Sequence, residues 1–341
     1  MGAFVRINME TIFWIPFPHP SLAVNGLPWL EPDSPQLRRL PTQAQATVPP
    51  RVWELAQFPG SGRIRFRSNT KALHIRFTAT RPRPARIASG LDLYADGQYW
   101  NSLVTSDESQ TEQTFFTGAE PKERELEIYL PLYQTITLHA IGVDANASVQ
   151  PPRPFAQAAP LVLYGSSVAQ GVGAGRPAMS YQAILCRRLN LDFINLGFGG
   201  AGKAEPEVVQ YLNQLKACCF LLDLGKSYGQ QDAGPYDSML AAIREQHPST
   251  PIVCITPIYS THEQYDPQYR QLSRHTRSIV QQAVASRQDQ GDPNLYLIEG
   301  LDLLGPDDGD TLLEGVHPSD LGYWRIARRL EGILQPRLKS T

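Results

Sequence analysis

The chain has 341 residues, more than the roughly 100 to 200 of a typical domain, so we expect two domains rather than one. Hydrophobic residues make up 42% of the chain and charged residues 19%, which fits a packed core and excludes a fully disordered protein. The 31 basic and 33 acidic residues leave a net charge of −2, without the basic surface that nucleic-acid binding requires. We therefore expect no nucleic-acid partner.

The apolar opening METIFWIPFPHP is interrupted by Pro16 and Pro18, follows no basic run and precedes no small-residue cleavage site. No stretch reaches the roughly 18 consecutive apolar residues of a membrane span. We expect a cytoplasmic protein with no membrane partner. The four cysteines have neither metal-ligand spacing nor the density of a disulfide framework, and we expect them to be small buried side chains.

Residues 62–145 alternate apolar and polar side chains, as half-buried antiparallel strands do. Turn sequences such as Ser68-Asn69 and Asp96-Gly97 separate the alternating runs. Several short strands with this spacing predict an all-β, jelly-roll-like sandwich.

Residues 150–160 carry four prolines, which favour an extended connector over a helix or a central strand. The predicted organisation is therefore an N-terminal β-sandwich domain over residues 1–150, a proline-rich linker over 151–160 and a second domain over 161–341.

Beyond the linker the pattern changes to short continuous apolar runs separated by helix-length segments. Strands without alternation are buried on both faces, which is typical of a parallel sheet covered by helices. The sequence thus predicts a five-stranded three-layer α/β/α domain, with functional residues at the carboxyl ends of its strands. The predicted strands are LVLYG from Leu161, FINLG from Phe193, CFLLDLG from Cys219, PIVCITPI from Pro251 and NLYLIEG from Asn294, and the predicted helices cover about 178–190, 205–216, 235–246, 267–289 and from 319 onward.

A glycine-flanked serine pair follows the first of these strands, in Gly165-Ser166-Ser167. A serine at this edge of the sheet can be a nucleophile, and it can equally cap the next helix. The G-x-S-x-G elbow of α/β-hydrolases would need glycine where Ala169 stands. No dinucleotide or phosphate loop is complete either, because Arg176 and Phe220 occupy required glycine positions.

An acid and a histidine stand three residues apart in Glu314-Gly315-Val316-His317 near the C-terminus. A serine nucleophile needs a base to take its proton and an acid to orient the imidazole, and one loop can deliver both groups. Taken alone, either residue could also be an ordinary loop side chain.

The glycine-rich segment 195–202, NLGFGGAG, follows the second strand of this domain. It can offer a bare backbone N–H to a developing oxyanion, or it can be a tight strand-to-helix turn.

These blocks together resemble the SGNH/GDSL hydrolase superfamily, in the subgroup with an N-terminal GxDLY domain. The resemblance covers most of the chain and is carried by the order and spacing of its blocks. Those blocks are LPWLEPDSPQLRRLP, GLDLYADG, YGSSVAQG, NLGFGGAGKAEPEV, TPIYS and EGVHPSDLGY.

The resemblance implies a β-sandwich followed by a flavodoxin-like three-layer hydrolase domain that cleaves or transfers O-acyl groups without metal or organic cofactor. It makes Ser167 the nucleophile and His317 the base, and it makes the backbone N–H groups of Ser167 and Gly200 the oxyanion donors. The chain departs from the family pattern at Glu314, where the family has aspartate.

A second departure lies after the third strand of the hydrolase domain, where the family usually has an oxyanion asparagine. Here the sequence supplies Ser227, flanked by Lys226. Losing one oxyanion donor typically costs a factor of about 100 to 1,000 in rate, so either side chain compensates or the enzyme is slow.

The sequence therefore predicts a serine esterase that acts on a small O-acyl ester through a Ser-His-Glu triad. Two alternatives stay open: an O-acyltransferase that uses the same acyl-enzyme, and a carbohydrate-binding protein that retains the scaffold but is non-catalytic or catalytically weakened. Acyl and alcohol specificity and oligomeric state are not readable from the sequence. The aromatic residues that could contact a sugar are Trp53, Tyr94, Tyr99 and Trp100.

Overall fold

The computed structural model of the chain describes residues 11–31, 36–80, 90–104, 110–229 and 232–338. Within them, an antiparallel β-sandwich precedes a parallel sheet that is covered by helices on both faces. This is the predicted fold class. Each part has its own hydrophobic core.

Among the described residues, the sandwich contains ten strands, and all of their pairings are antiparallel. They are β1 Ile12–Pro16, β2 Ala23–Asn25, β3 Arg63–Ser68, β4 Leu73–Ala79, β5 Leu91–Ala95, β6 Gln98–Leu103, β7 Gln110–Phe116, β8 Arg124–Tyr129, β9 Ile136–Asp144 and β10 Val149–Gln150. One sheet has the order β1-β9-β4-β7, and the other has the order β10-β3-β8-β5-β6 with β2 beside β3. The predicted turn at Asp96-Gly97 lies between β5 and β6, and the one at Ser68-Asn69 begins on the last residue of β3 and leads towards β4.

The three-layer unit contains five parallel strands in the order β12-β11-β13-β14-β15, which is the flavodoxin-like order. The strands are β11 Leu161–Gly165, β12 Phe193–Gly197, β13 Cys219–Asp223, β14 Ile252–Ile255 and β15 Leu295–Ile298. Each coincides with a predicted apolar run. Residues 151–160, which the sequence assigns to a linker, contain no helix or strand.

The helices of the described residues run from α1 to α9, and the five predicted ones are α3, α4, α5, α7 and α9. Their bounds are α1 Pro50–Ala56, α2 Ser167–Gln170, α3 Tyr181–Leu189, α4 Pro206–Leu212, α5 Gly234–Gln246, α6 His262–Tyr265, α7 Pro267–Asp289, α8 Gly300–Leu303 and α9 Asp320–Leu338. The start of α7 shows the usual signals, since the Asp266 carboxylate accepts the N–H groups of Gln268 and Tyr269 while proline takes the first helical position. In the described ranges, no helix combines the length and the apolar character that a membrane crossing needs.

The polar side chains on β3 and β5 are not exposed to solvent, although the apolar–polar alternation of these strands predicts that they would be. Arg63 on β3 and Asp92 on β5 are buried, because the three-layer unit covers this side of the sandwich. Arg63 forms an ion pair with Asp192, just before β12. The prediction of half-buried strands is therefore wrong for β5, whose five residues are all buried.

The segment from Leu40 to Phe58, which contains α1, packs into the core of the three-layer unit although it precedes the sandwich strands β3 to β10 in the chain. Next to it, the buried Arg39 guanidinium donates to the backbone carbonyls of Asn195 and Gly197 at the end of β12. Burial lowers the pKa of Arg39 to about 9. The N-terminal part of the chain thus supports the strand that leads into the glycine-rich segment.

Candidate active site

The candidate site is a cavity of about 270 Å³ at the carboxyl ends of β11 and β13. The connections from these two strands leave in opposite directions, because β12 lies on one side of β11 and β14 lies beyond β13. Such a switch point is where open α/β sheets bind their ligands. The cavity is lined by Ser166, Ser167, Val168, Asp223, Gly225, Lys226, Ser227, Pro257, Ile258, Tyr269, Leu272, Val316 and His317.

Two neighbouring serines follow β11, and the structure separates their environments. Ser167 is the first residue of the short helix α2, is partly exposed and lies 3.0 Å from His317 Nε2 through its Oγ. Ser166 is 1% exposed, and its Oγ lies under the backbone of Gly225. Only Ser167 combines access to solvent with contact to a histidine.

His317 lies on a two-stranded hairpin formed by β16, Leu312–Leu313, and β17, His317–Pro318. Its Nδ1 is hydrogen bonded to the Glu314 carboxylate, and its Nε2 faces the Ser167 hydroxyl. A carboxylate on Nδ1 fixes the tautomer in which Nε2 is free to accept the serine proton. The structure thus brings together all three residues of the predicted triad.

The hairpin turn holds Glu314 in a left-handed conformation, with φ of 29°. Glycine would adopt this conformation more readily, so neighbouring contacts must maintain it. The loop after β14 supplies them: Ser260 Oγ donates to Gly315 O at 2.7 Å, and the Thr261 N–H donates to the same carbonyl at 3.0 Å. His262 Nε2 lies 3.1 Å from the Glu314 carbonyl oxygen and donates to it.

The sequence pattern does not single out His262, and its contact with the Glu314 carbonyl oxygen is not predicted. The TPIYS block, which ends two residues earlier at Ser260, is part of the family resemblance but carries no predicted role. A signal was nevertheless present, because TPIYS and the predicted acid both follow strands that end at the same edge of the sheet.

The glycine-rich segment after β12 packs over the end of β11. The Phe198 N–H donates to Gly165 O at 2.8 Å, and the Gly199 N–H donates to Gln170 Oε1 at 2.6 Å. Gly200 has φ of 74° and no atom within 4 Å of the position that a Cβ would take. This open side leaves room for a substrate, but Gly200 does not line the cavity described above. Its role as oxyanion donor stays a prediction.

Ser227 and Lys226 both line the cavity, on a 3-10 turn after β13. Lys226 Nζ lies 3.7 Å from the Glu263 carboxylate and 5.5 Å from the centre of the Tyr269 ring. Burial lowers the pKa of Lys226 to about 7, although Glu263 opposes that shift. Burial also raises the pKa of the nearby Asp223 to about 6. The turn therefore carries a cation that titrates near neutral pH.

The four aromatic residues that the sequence singled out for sugar contact lie in different environments. Tyr94 is buried and packs edge-on against Tyr129, and Trp53 on α1 is partly buried against the core of the three-layer unit. Tyr99 and Trp100, by contrast, are 46% and 37% exposed on β6. Only these last two can offer a ring to a ligand.

Comparison with protein families and solved structures identifies matches over both parts of the chain. A family model described as GDSL-like lipase/acylhydrolase matches residues 158–335, and a model of the N-terminus of SGNH-hydrolase-type esterases, GxDLY, matches residues 13–149. No curated protein matches the chain.

Several solved structures share the whole architecture. A candidate GDSL-like lipase from Bacteroides ovatus superposes with a TM-score of 0.85 at 28% identity, covering 96% of this chain and 98% of that one. The salicylyl-acyltransferase SsfX3 of a tetracycline biosynthetic pathway has a TM-score of 0.83 at 22% identity, with 96% and 97% covered. A family two carbohydrate esterase from Cellvibrio japonicus has a TM-score of 0.67 at 12% identity, with 96% and 98% covered.

Proposed function

The chain belongs to the GDSL-like lipase/acylhydrolase family, and on that premise we propose that it is a serine esterase acting on small O-acyl esters. The observation that carries the proposal is the unbroken series of contacts from the Glu314 carboxylate through the His317 ring to Ser167 Oγ. In this role Ser167 attacks the ester carbonyl, His317 takes the serine proton and returns it to the leaving alcohol, and Glu314 orients the ring. Water then releases the acyl group from Ser167 by the same proton path.

The dimensions and walls of the cavity support a short acyl group. A volume of about 270 Å³ lies just below the range of about 300 to 1,000 Å³ that suits drug-sized ligands. The lining includes the apolar side chains of Val168, Ile258 and Leu272, together with Lys226 and Ser227. In this proposal the backbone N–H groups of Ser167 and Gly200, with Ser227 as the third group, receive the oxyanion.

A fluorophosphonate labelling experiment tests the nucleophile. The purified protein is treated with the reagent, and the modified serine is mapped by mass spectrometry. We expect labelling at Ser167, with loss of both labelling and ester turnover in Ser167→Ala. The adjacent Ser166→Ala is the matched control, because Ser166 lies in the same turn but does not contact His317. Labelling of Ser166, or full turnover by Ser167→Ala, contradicts the proposal.

An acyltransferase is the second candidate function, and similarity in fold to SsfX3 over nearly the whole chain favours it. Hydrolysis and transfer share the acyl-enzyme and differ in whether water or another hydroxyl group attacks it. A competition assay separates them: the protein turns over an activated ester in the presence of polyols or phenols, and products are identified by mass spectrometry. An acylated acceptor that exceeds free acid identifies a transferase.

A non-catalytic carbohydrate-binding protein remains the third candidate, supported by the exposed rings of Tyr99 and Trp100. Such a protein would have no reason to retain the contact between Ser167 and His317. Glycan binding that depends on Tyr99 and Trp100, without Ser167-dependent ester turnover, would identify it.

A further inference from the structure

The interface between the sandwich and the three-layer unit contains a carboxylate with no exposed surface, that of Asp92 on β5. Asp92 belongs to the GLDLYADG block of the sandwich, yet its partners extend beyond the sandwich. Its Oδ2 accepts the backbone N–H of Ala178 at 2.8 Å and the Arg176 guanidinium at 3.1 Å. Its Oδ1 accepts the Ser102 hydroxyl group.

Arg176 has two further contacts with the sandwich. The same Nη1 donates to the Tyr94 hydroxyl at 3.0 Å, and the guanidinium carbon lies 4.0 Å from the centre of the exposed Tyr99 ring. A buried carboxylate is costly unless it is paired and hydrogen bonded. The ion pair therefore holds the Asp92 and Arg176 side chains in place, and it also restrains the backbone at Arg176.

That backbone is the loop from Gly171 to Met179, which follows α2 directly. Near its start, the Val172 N–H donates to the carbonyl of Ser167 at 3.0 Å. Towards its end, Pro177 O accepts the Ser61 hydroxyl of the sandwich at 2.8 Å. The loop thus extends from the proposed nucleophile to the sandwich surface.

The middle of the same loop lies against the segment that carries His317. The Gly175 N–H donates to the Asp320 carboxylate at 2.6 Å. Gly173, with φ of 98°, approaches so closely that a Cβ there would lie 2.4 Å from Pro318 O. Pro318 directly follows His317, so a shift of this loop would be transmitted to the imidazole.

We propose that Asp92 is a positioning residue for the triad: it anchors the Gly171–Met179 loop through Arg176 and Ala178, and the loop holds His317 facing Ser167. This inference rests on the proposed function, because it assigns Asp92 to the geometry of that triad. Asp92 itself does not touch the cavity. In this role Asp92 lets the sandwich contribute to catalysis without contacting the substrate.

The test compares Asp92→Asn with a matched control, Asp192→Asn. Asp192 also joins the two parts of the molecule, through Arg63 and Asn25, but it lies before β12 at the opposite end of the strand from the site. Both substitutions remove one interfacial carboxylate charge and retain its shape. The measurements are kcat and KM on an activated ester, together with Tm.

We expect Asp92→Asn to lower kcat by about 10- to 100-fold with little change in KM, since a displacement of about 1 Å at the reacting groups can cost about 100-fold. Asp192→Asn should lower Tm to a comparable degree while kcat changes much less. A purely structural role would instead lower kcat in both variants in proportion to the loss of Tm. That result, or a wild-type kcat in folded Asp92→Asn, overturns the proposal.

If Asp92→Asn fails to fold, the partly exposed partner provides the test. Arg176→Met should lower kcat, and Arg176→Lys, which keeps the charge, should recover part of the loss. Equal kcat in the two variants overturns the proposal. These outcomes are distinct from failure of the proposed function, which would appear as unchanged ester turnover in Ser167→Ala.

Discussion

In the proposed function the turn that carries Lys226 and Ser227 supplies the third oxyanion group, and substitution at each position measures its contribution to kcat. If Ser227 is the third oxyanion group, its short hydroxyl reaches less far than an asparagine amide would. Ser227→Asn should then raise kcat, by up to the roughly 100-fold that one good donor supplies. KM should change little, because the added hydrogen bond strengthens only in the transition state.

Alternatively, the Lys226 ammonium stabilises the oxyanion, and the pH dependence of kcat distinguishes this case from a role for Ser227. Burial lowers the pKa of Lys226 to about 7. An ammonium that stabilises the oxyanion is therefore present below pH 7 and lost above it, so kcat would fall about tenfold for each further pH unit. In that case Lys226→Met would remove most of the rate and Ser227→Asn would do little. A Ser227 hydroxyl, in contrast, gives no decline of kcat near pH 7.

The assay is steady-state turnover of a small activated ester from pH 5 to 9, with wild type, Ser227→Asn and Lys226→Met compared at each pH. Correction for spontaneous hydrolysis of the ester and a Ser167→Ala blank are the controls. Asp223 lines the same cavity and has its pKa raised to about 6 by burial, so an inflection in acid is assigned only after Asp223→Asn is measured. No change of kcat in either Ser227→Asn or Lys226→Met would show that this turn does not line the oxyanion site.

Three other outcomes follow from the same geometry. Glu314→Gln should keep the fold and lower kcat, because an amide cannot hold the imidazole in the tautomer that accepts the serine proton; unchanged activity would exclude Glu314 and direct the search to Asp310 and Asp320. His262→Ala should lower kcat about fivefold through loss of one hydrogen bond of roughly 1 kcal/mol to the Glu314 backbone, with stability followed by Tm to separate positioning from unfolding. Asp223→Asn should raise Tm more at pH 8 than at pH 4. The pKa of Asp223 in the folded protein, about 6, exceeds its value in the unfolded chain, so the folded state holds the proton more tightly and loses stability as pH rises from about 4 to 6. An equal change in Tm at both pH values would contradict this cost of burying the carboxylate.

Much of the α/β/α unit could be predicted because its strands can be recognised from the local sequence alone, without knowing which strands pair. Continuous apolar runs such as Leu161–Gly165 and Phe193–Gly197 indicate strands covered on both faces, and the structure confirms them. Of the N-terminal part of the chain, the strands β1, β2 and β10 and the helix α1 lie outside the alternating region 62–145 and are not predicted. β1 ends at a proline and β2 has three residues, so neither gives a periodic pattern of useful length.

The candidate site could be predicted only in part, because its groups come from strands far apart in sequence. Glu314 and His317 are only three residues apart, so their pairing can be predicted from the sequence. The structure places His317 against Ser167 and Glu314 against His317. The choice between Ser166 and Ser167 depends on which of the two the turn after β11 exposes, which composition does not encode. The part played by His262 depends on the pairing of two loops that are 52 residues apart.

The polar positions of the sandwich strands show most clearly where pattern and packing diverge. Alternation indicates that one face of a strand is apolar, but it does not tell whether water or another part of the protein covers the other face. Here the second face of β3 and β5 meets the three-layer unit, so Arg63 and Asp92 become buried partners across an interface. Arg39 approaches the end of β12 from the same N-terminal part of the chain. Asp92 therefore contacts the loop that follows the proposed nucleophile, and Arg39 contacts the end of β12 before the glycine-rich segment. In the proposal made above, this makes the N-terminal part of the chain a component of the active-site framework rather than a separate attachment.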